Sequence, residues 1–490
     1  MTKKIRLRFP PSPTGYLHVG GLRTVLFNYL IAKKLKGDLI LRIEDTDQKR
    51  EIKGAVDQLI KIINWLGFEF REGPHIGGDY GPYIQSERQE IYNEYARKLL
   101  SADGAYYCFC SSERLREMRE EQQARKQAPK YDRKCLNLSE KEIREKIARG
   151  EEYVLRQKMP SQGEVVVKDF LRGEIKFQAS DLEDHVLIKS NGVPTYQFAS
   201  VVDDHLMKIS HVVRGEEWLP SFPKNVLLYQ SFGWEVPKFI HLPLILDKNG
   251  GKLSKRKGDV TVEDYKEKGY LPEALINFTA LLGWHPKDDE EETMSLEEII
   301  KKFKMKDIGV SPATFDVEKL NYFNGYYIRQ MDLDSLTRKC QPYLKENLKK
   351  TQNYKKKEYD FVKKVVSLEQ ERLKKISEIK DLTEFFFLEE LNYPGELLIW
   401  KKMSAPEVKN NLKEILELLN ALPEEEWKKE KIEEKIIGHI KEKEGKVGNY
   451  LWPLRVALTG QSQSPGPFEV AWVLGKKESL EKIKKAGELL

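Results

Sequence analysis

Residues 5–45 read IRLRFPPSPTGYLHVGGLRTVLFNYLIAKKLKGDLILRIED, and their reading decides the fold. Ile5, Leu7 and Phe9 alternate with charged residues, the period of a short strand. Leu22, Leu26, Tyr29, Leu30, Ala32 and Lys33 then follow helical spacing, and Gly37 offers that helix a left-handed stop. "DLILRIEDTD" is an apolar run with a charged tail, as expected of a buried parallel strand that ends in polar residues. Strand, loop, helix, strand is a βαβ unit, which predicts an open α/β sheet. The loop "PSPTGYLHVGG" joins a strand end to a helix start, the edge of such a sheet where ligands bind. Unpaired N–H groups at a helix start suit phosphate. The loop is no Walker motif, because Gly21 and Leu22 follow Gly20 where Lys and Ser/Thr are needed; it also lacks GxGxxG. That leaves His18 as a donor toward phosphate, with a purely structural histidine as the alternative.

The chain has 490 residues, enough for about three domains. Hydrophobic residues make up 40% and charged residues 33%, the balance of a soluble globular protein. No apolar run reaches the ~18 residues of a membrane span, and MTKKIRLRFPPS has no apolar core of a signal peptide. Four cysteines make no disulfide framework, so a reducing cytoplasm is expected. Residues 101–200 read as an insertion with a local Cys cluster, a polar helix "SERLREMREEQQARKQ" and strand-like "YVLRQKM" and "EVVVKDFL". An α/β pattern returns over 201–330, and from about 331 the chain turns helical, rich in Lys, Glu and Leu. Ser295 with Glu298 forms a helix-start signature. Net charge is only +6, yet residues 345–380 carry 12 Lys/Arg against 6 Asp/Glu. Such a local excess suits a polyanionic partner, although a solvated helix face has the same composition.

A second loop, DKNGGKLSKRKGD at 247–259, sets two glycines before Lys252, Lys255, Arg256 and Lys257. Its cations could swing onto a polyphosphate, or could form an exposed basic hairpin tip. Paired with the first loop it becomes specific. His18-Val19-Gly20-Gly21 resembles the HIGH signature of class I aminoacyl-tRNA synthetases, and Lys252-Leu253-Ser254-Lys255-Arg256 resembles their KMSKS signature. "RIEDTD", "GVPTYQFASVVDDH", "VVRGEEW" and "PLRVALTG" follow in the order found in bacterial glutamyl-tRNA synthetases, so the resemblance spans essentially the whole chain.

The resemblance implies a Rossmann-like α/β catalytic domain with parallel sheet over 1–100 and 201–330. It implies an inserted acceptor-stem-binding domain over 101–200 and an all-helical anticodon-binding domain over 331–490. It implies activation of glutamate by ATP with Mg²⁺, then transfer of the glutamyl group to the terminal ribose of a glutamate tRNA. The expected roles are catalytic for His18, Lys252 and Lys255. ATP would also meet Gly20, Gly21, Glu217, Trp218, Ser254 and Arg256. Glutamate would meet Arg8, Ser12, Glu44, Tyr196 and Arg214, with Glu44 on the ammonium and the arginines on carboxylates. Asp47 would hold the tRNA acceptor end, and Arg372 would read the anticodon. A cytoplasmic monomer without membrane attachment is the family's default.

Cys108 and Cys110 form C-x-C, followed by Cys135 in "YDRKCLNLS". Some relatives close a Zn²⁺ site with C-x-H here, but this chain has Asn137 at the histidine's place. Tyr131-x3-Cys135 fits a second family pattern, C-x-C with Y-x3-C, which would make a phenolate the fourth ligand. Three reduced cysteines in an insertion are the alternative. Cys340 reads as a buried core thiol. Three other activities share parts of this pattern. A tRNA-modifying paralogue would lack the helical C-terminal part. A glutaminyl enzyme would carry β-barrels there. A catalytically dead tRNA scaffold would be expected to lose His18 or the lysine pair.

Overall fold

The computed structural model describes residues 4–47, 50–248, 250–251, 261–286, 291–348 and 358–490. They divide into two compact units, one within residues 1–266 and 272–317, the other within 267–271 and 318–490. Lys252, Leu253, Ser254, Lys255 and Arg256 lie outside the described residues.

The first unit holds the strands. In chain order they are β1 (Arg6–Phe9), β2 (Asp38–Leu41), β3 (Ala105–Cys108), β4 (Val154–Gln157), β5 (Glu164–Asp169), β6 (Gly173–Gln178), β7 (Val186–Ile188), β8 (His211–Gly215), β9 (Lys238–Leu242), β10 (Ile245–Asp247) and β11 (Ala313–Phe315). β1 and β2 pair in parallel, Arg6 opposite Asp38 and Phe9 opposite Leu41. The crossover between them is helix α1 (Val19–Lys34), whose Leu22, Val25, Leu26, Leu30 and Ile31 are fully buried. This is the predicted βαβ unit. Ser210, just before β8, stitches that strand to β1: its N–H donates to Arg6 O at 2.9 Å and its Oγ accepts from Arg6 N at 2.8 Å. β8 pairs in parallel with β9, and β9 with β5. β3, β4 and β7 form a separate antiparallel sheet in the predicted insertion.

The alternation on β1 does form a strand, and Arg6 and Arg8 are buried along with Leu7 and Phe9. Burial holds because each arginine finds carboxylates: Arg6 meets Glu72 and Asp38, and Arg8 meets Asp204. One expectation changes: the helix stops differently. Lys36 takes the left-handed conformation (φ 53), and α1 ends two residues earlier. Gly37 serves close approach instead: a Cβ there would lie 2.6 Å from Ile5 O.

Ser295 caps helix Leu296–Lys302 as its sequence predicts. Its Oγ accepts from Glu298 N at 3.2 Å, and Glu298 Oε2 accepts from Ser295 N at 2.8 Å. In the second unit the described residues form helices and turns without a strand. Amphipathic helices such as Ala405–Asn420 bury Val408, Leu412, Ile415 and Leu419 at helical spacing. Cys340 is fully buried, as predicted. Among the described residues no helix is long and apolar enough to cross a membrane.

Candidate active site

A cavity of about 830 Å³ opens at the carboxyl ends of β1, β2 and β8. Arg8, Ser12, Glu44, Tyr196 and Arg214, the residues expected around glutamate, all line it. So do His18, Gly20, Gly21, Glu217 and Trp218, expected around ATP, and Asp47 at the rim.

The glycines of the first loop work differently from expectation. A Cβ on Gly20 would stand 2.9 Å from the His18 ring, and one on Gly21 would stand 2.7 Å from Leu17 Cδ1. They make room for their own neighbours as much as for a ligand. His18 is the N-cap of α1, and its Nδ1 accepts from Gly21 N at 3.3 Å. A neutral ring held that way carries its proton on Nε2, the form that donates to a phosphate oxygen. The chain also returns to this point after the second loop. Thr261 bridges to His18, and Val262 N donates to Leu17 O at 2.8 Å. Ile245 of β10, ahead of the second loop in the chain, lines the cavity too.

The floor is a buried ion network that the sequence reading missed. Arg42 is fully buried and meets Glu44 Oε1 at 2.9 Å, Asp204 Oδ1 at 2.7 Å and Asp203 Oδ2 at 3.8 Å. Arg8 Nε meets the same Asp204 Oδ1 at 3.0 Å, and Arg88 meets Asp203 at 2.7 Å. Three arginines thus balance three carboxylates. Burial would raise the Asp204 pKa, but Arg8 and Arg42 hold it below the usual carboxylate range. Glu44 goes the other way: burial outweighs Arg42 and Arg8 and pushes it up to about 7. Arg42 takes only Oε1 of Glu44; among the described residues no hydrogen bond reaches Oε2, and Glu44 lines the cavity. Arg8 Nη1 is buried and has no hydrogen-bond partner.

Arg214 differs in kind. It is 6% exposed, and among the described residues no carboxylate forms an ion pair with it. Its partners are neutral: His241 Nε2 at 3.0 Å and Asn225 Oδ1 at 3.2 Å from both terminal nitrogens. Burial lowers its pKa. Tyr196 begins helix Tyr196–Leu206 and packs its ring on Trp218 at 4.7 Å, beside Arg214. Arg23 was also missed: it lines the cavity from α1 and donates to Leu282 O at 3.1 Å and to Pro243 O. Asp47 accepts from Arg50 at 2.6 Å. The signal for the network was present in "VVDD", where two acids end an apolar helical run.

In the insertion, Cys108, Cys110 and Cys135 place their sulfurs within 4.8 Å of one another. Cys110 and Cys135 are 3.6 Å apart, and the Tyr131 hydroxyl lies 3.2 Å and 3.5 Å from Cys108 and Cys110. A tetrahedral zinc with Zn–S of about 2.3 Å sets its ligands about 3.8 Å apart, so the cluster has the right span. Asn137 is exposed and outside it. Arg372, in the second unit, sits against buried Glu369 at 2.9 Å and is about a third exposed.

Comparisons with known proteins place the chain in a family. Residues 4–322 match the family model described as tRNA synthetases class I (E and Q), catalytic domain, and residues 335–487 match one described as anticodon binding domain. The chain is 48% identical to a glutamate–tRNA ligase of Clostridium botulinum, covering 100% of this chain and 99% of that one. It is 46% identical to the Clostridium tetani ligase over 98% and 97% of the two chains. Its fold superposes on the crystal structure of a glutamate tRNA ligase from Elizabethkingia meningosepticum in complex with its amino acid, with a TM-score of 0.89, 37% identity and 99% coverage of both chains. The chain belongs to the glutamate–tRNA ligases, a branch of the class I aminoacyl-tRNA synthetases.

Proposed function

We propose that the cavity at the ends of β1, β2 and β8 binds glutamate on the ion network and ATP on the His18 side. The reaction of this family is ATP-dependent formation of glutamyl-adenylate, followed by transfer to the 3′ end of tRNA. The observation that carries the pocket assignment is Arg214, a buried cation beside a cavity with no ion-pair partner among the described residues. Such a charge is costly unless an anion arrives. A substrate carboxylate supplies it, Arg8 Nη1 offers a second donor, and Glu44 Oε2 takes the ammonium.

With glutamate so held, its α-carboxylate attacks the α-phosphorus of ATP and pyrophosphate leaves. His18 donates to the phosphate as charge builds, and Lys252 and Lys255 meet the departing pyrophosphate. Mg²⁺ comes with the nucleotide, whose phosphates and water can supply most of its ligands. Asp47, at the rim, faces the acceptor end of the tRNA. Residues 101–200 take the acceptor stem, and the helical unit takes the anticodon, where the match to an anticodon-binding model and the basic run support the assignment. Cys108, Cys110, Tyr131 and Cys135 hold a structural Zn²⁺ in the insertion. The protein acts in the cytoplasm as a monomer.

The test is glutamate-dependent exchange of pyrophosphate into ATP, with and without tRNA and with glutamine as control. Exchange with glutamate and tRNA together is expected. Exchange without tRNA would favour the tRNA-modifying activity, and no exchange would favour the scaffold.

A further inference from the structure

Behind Arg214 a chain of hydrogen bonds leads away from the cavity and ends at Asp169. Asp169 closes β5 and is 1% exposed. Its Oδ1 accepts from Leu171 N and Arg172 N, both at 3.0 Å, and its Oδ2 accepts from His241 N at 3.1 Å. Burial would raise its pKa, but His241 and these backbone donors hold it below the usual range, so the group is a carboxylate. A carboxylate only accepts. The His241 Nδ1 at 2.8 Å from Oδ2 therefore carries the ring proton, and Nε2 keeps a lone pair. That lone pair faces Arg214 Nε at 3.0 Å.

Other contacts fix the same geometry. His241 is fully buried against the Phe222 and Phe239 rings, at 4.8 Å and 6.1 Å, and its carbonyl accepts from Arg172. Asn225 Oδ1 takes one N–H from each terminal nitrogen of Arg214. His241 and Asn225 thus hold three of the five N–H groups of the guanidinium, and the Tyr196 hydroxyl is a further neutral partner. None of Asp169, His241 and Asn225 lines the cavity.

The design contrasts with Arg42, which is neutralised directly by carboxylates. Arg214 is aimed by neutral acceptors, and the one carboxylate behind it is kept an imidazole's width away. We propose that Asp169 and His241 are positioning residues for glutamate: Asp169 fixes the Nδ1–H form of His241, and His241 aims Arg214 at the substrate carboxylate without cancelling its charge. This rests on the reading that Arg214 meets that carboxylate.

The decisive variant is Asp169→Asn. Its Oδ1 is needed by two backbone N–H groups, so the new NH₂ faces His241 and favours the Nε2–H form, which points a proton at Arg214. The expected result is a fall in kcat/KM for glutamate of about 10- to 100-fold, with KM for ATP and tRNA changed less than about threefold. His241→Gln can still accept from Arg214 without any tautomer choice. It should lose less than about tenfold, and in its background Asp169→Asn should add little. Selective ¹⁵N labelling gives a readout independent of activity. The chain has eight histidines, so the His241→Gln spectrum identifies the His241 signals. They should show Nδ1–H in the native protein and Nε2–H in Asp169→Asn. Equal losses for glutamate, ATP and tRNA, effects that multiply in the double variant, or a native Nε2–H ring would overturn the proposal. Arg214→Met separates the two claims. If it abolishes glutamate use while folded Asp169→Asn leaves glutamate kinetics native, the positioning chain falls and the pocket reading stands. If Arg214→Met itself leaves glutamate kinetics native, the underlying reading falls.

Discussion

Glu44 makes the pocket's dependence on pH a quantitative test. Its carboxyl is pushed up to about 7 by burial, against an ordinary value of 4.5. To hold the substrate ammonium it must be ionised. With a pKa near 7 it is about nine-tenths ionised at pH 8 and about one-tenth ionised at pH 6. Because kcat/KM reports the free enzyme, kcat/KM for glutamate should fall about tenfold between pH 8 and pH 6. Bound glutamate brings a cation to Glu44 and lowers its pKa, so kcat should fall less and at lower pH than kcat/KM. The assay is tRNA-dependent exchange at saturating ATP and tRNA with glutamate varied, from pH 5.5 to 8.5.

Glu44→Gln supplies the control. It should be less active throughout, and its kcat/KM for glutamate should lose the inflection near pH 7. The stability sign follows from the same shift. The folded state binds the proton more tightly than the unfolded chain, so stability falls as pH rises from about 4.5 to about 7. A shift of that size amounts to about 3 kcal/mol by pH 8. The unfolding free energy of Glu44→Gln should therefore depend less on pH across that window. A flat native profile from pH 6 to 8, or the same inflection in Glu44→Gln, would refute the assignment of the ammonium to this carboxylate.

Three further outcomes are expected. Gly20→Ala puts a methyl 2.9 Å from the His18 ring; the ring can swing away, so thermal stability should shift little while kcat/KM for ATP drops about 10- to 100-fold. Arg372→Ala leaves buried Glu369, already raised to about 7 by burial, without its cation, and should destabilise the helical unit by about 1–3 kcal/mol in denaturant titration, whatever it does to tRNA affinity. Purified protein should carry about one zinc per chain by elemental analysis, and Cys110→Ser should lower that content; active protein free of zinc would remove the site.

Legibility in the sequence followed the range of the interaction. The βαβ opening could be read because periodicity is local, and so could the Ser295–Glu298 cap and the helices after residue 331. His18 could be placed at the ligand edge because it lies at a helix start, whereas Arg8 and Glu44 were placed through the motifs of the resemblance. The distant partners of those residues were not legible. Asp204 lies 196 residues from Arg8, and His241 lies 72 from Asp169, so only the closed fold brings them together. Charge alternation on β1 marked the strand but not the burial of its arginines, because a solvated face and a fully paired buried one have the same local pattern. Gly37 misled because glycine answers two needs, a left-handed turn and close approach, and the sequence alone does not say which.

The arrangement of charge also explains how one floor can be both stable and receptive. Buried ions survive when matched, and Arg8, Arg42 and Arg88 are matched to Glu44, Asp203 and Asp204. A floor matched at every atom would have no affinity left for a zwitterion with a second carboxylate. Here the vacancies are specific: one oxygen of Glu44, one nitrogen of Arg8, and Arg214 held only by neutral groups. Their signs are one negative and two positive, those that complement the ammonium and two carboxylates of glutamate. Glutamine has an amide in place of the second carboxylate and would leave one of the buried cations unneutralised. Discrimination against it thus follows from the cost of an unpaired buried charge rather than from any steric difference.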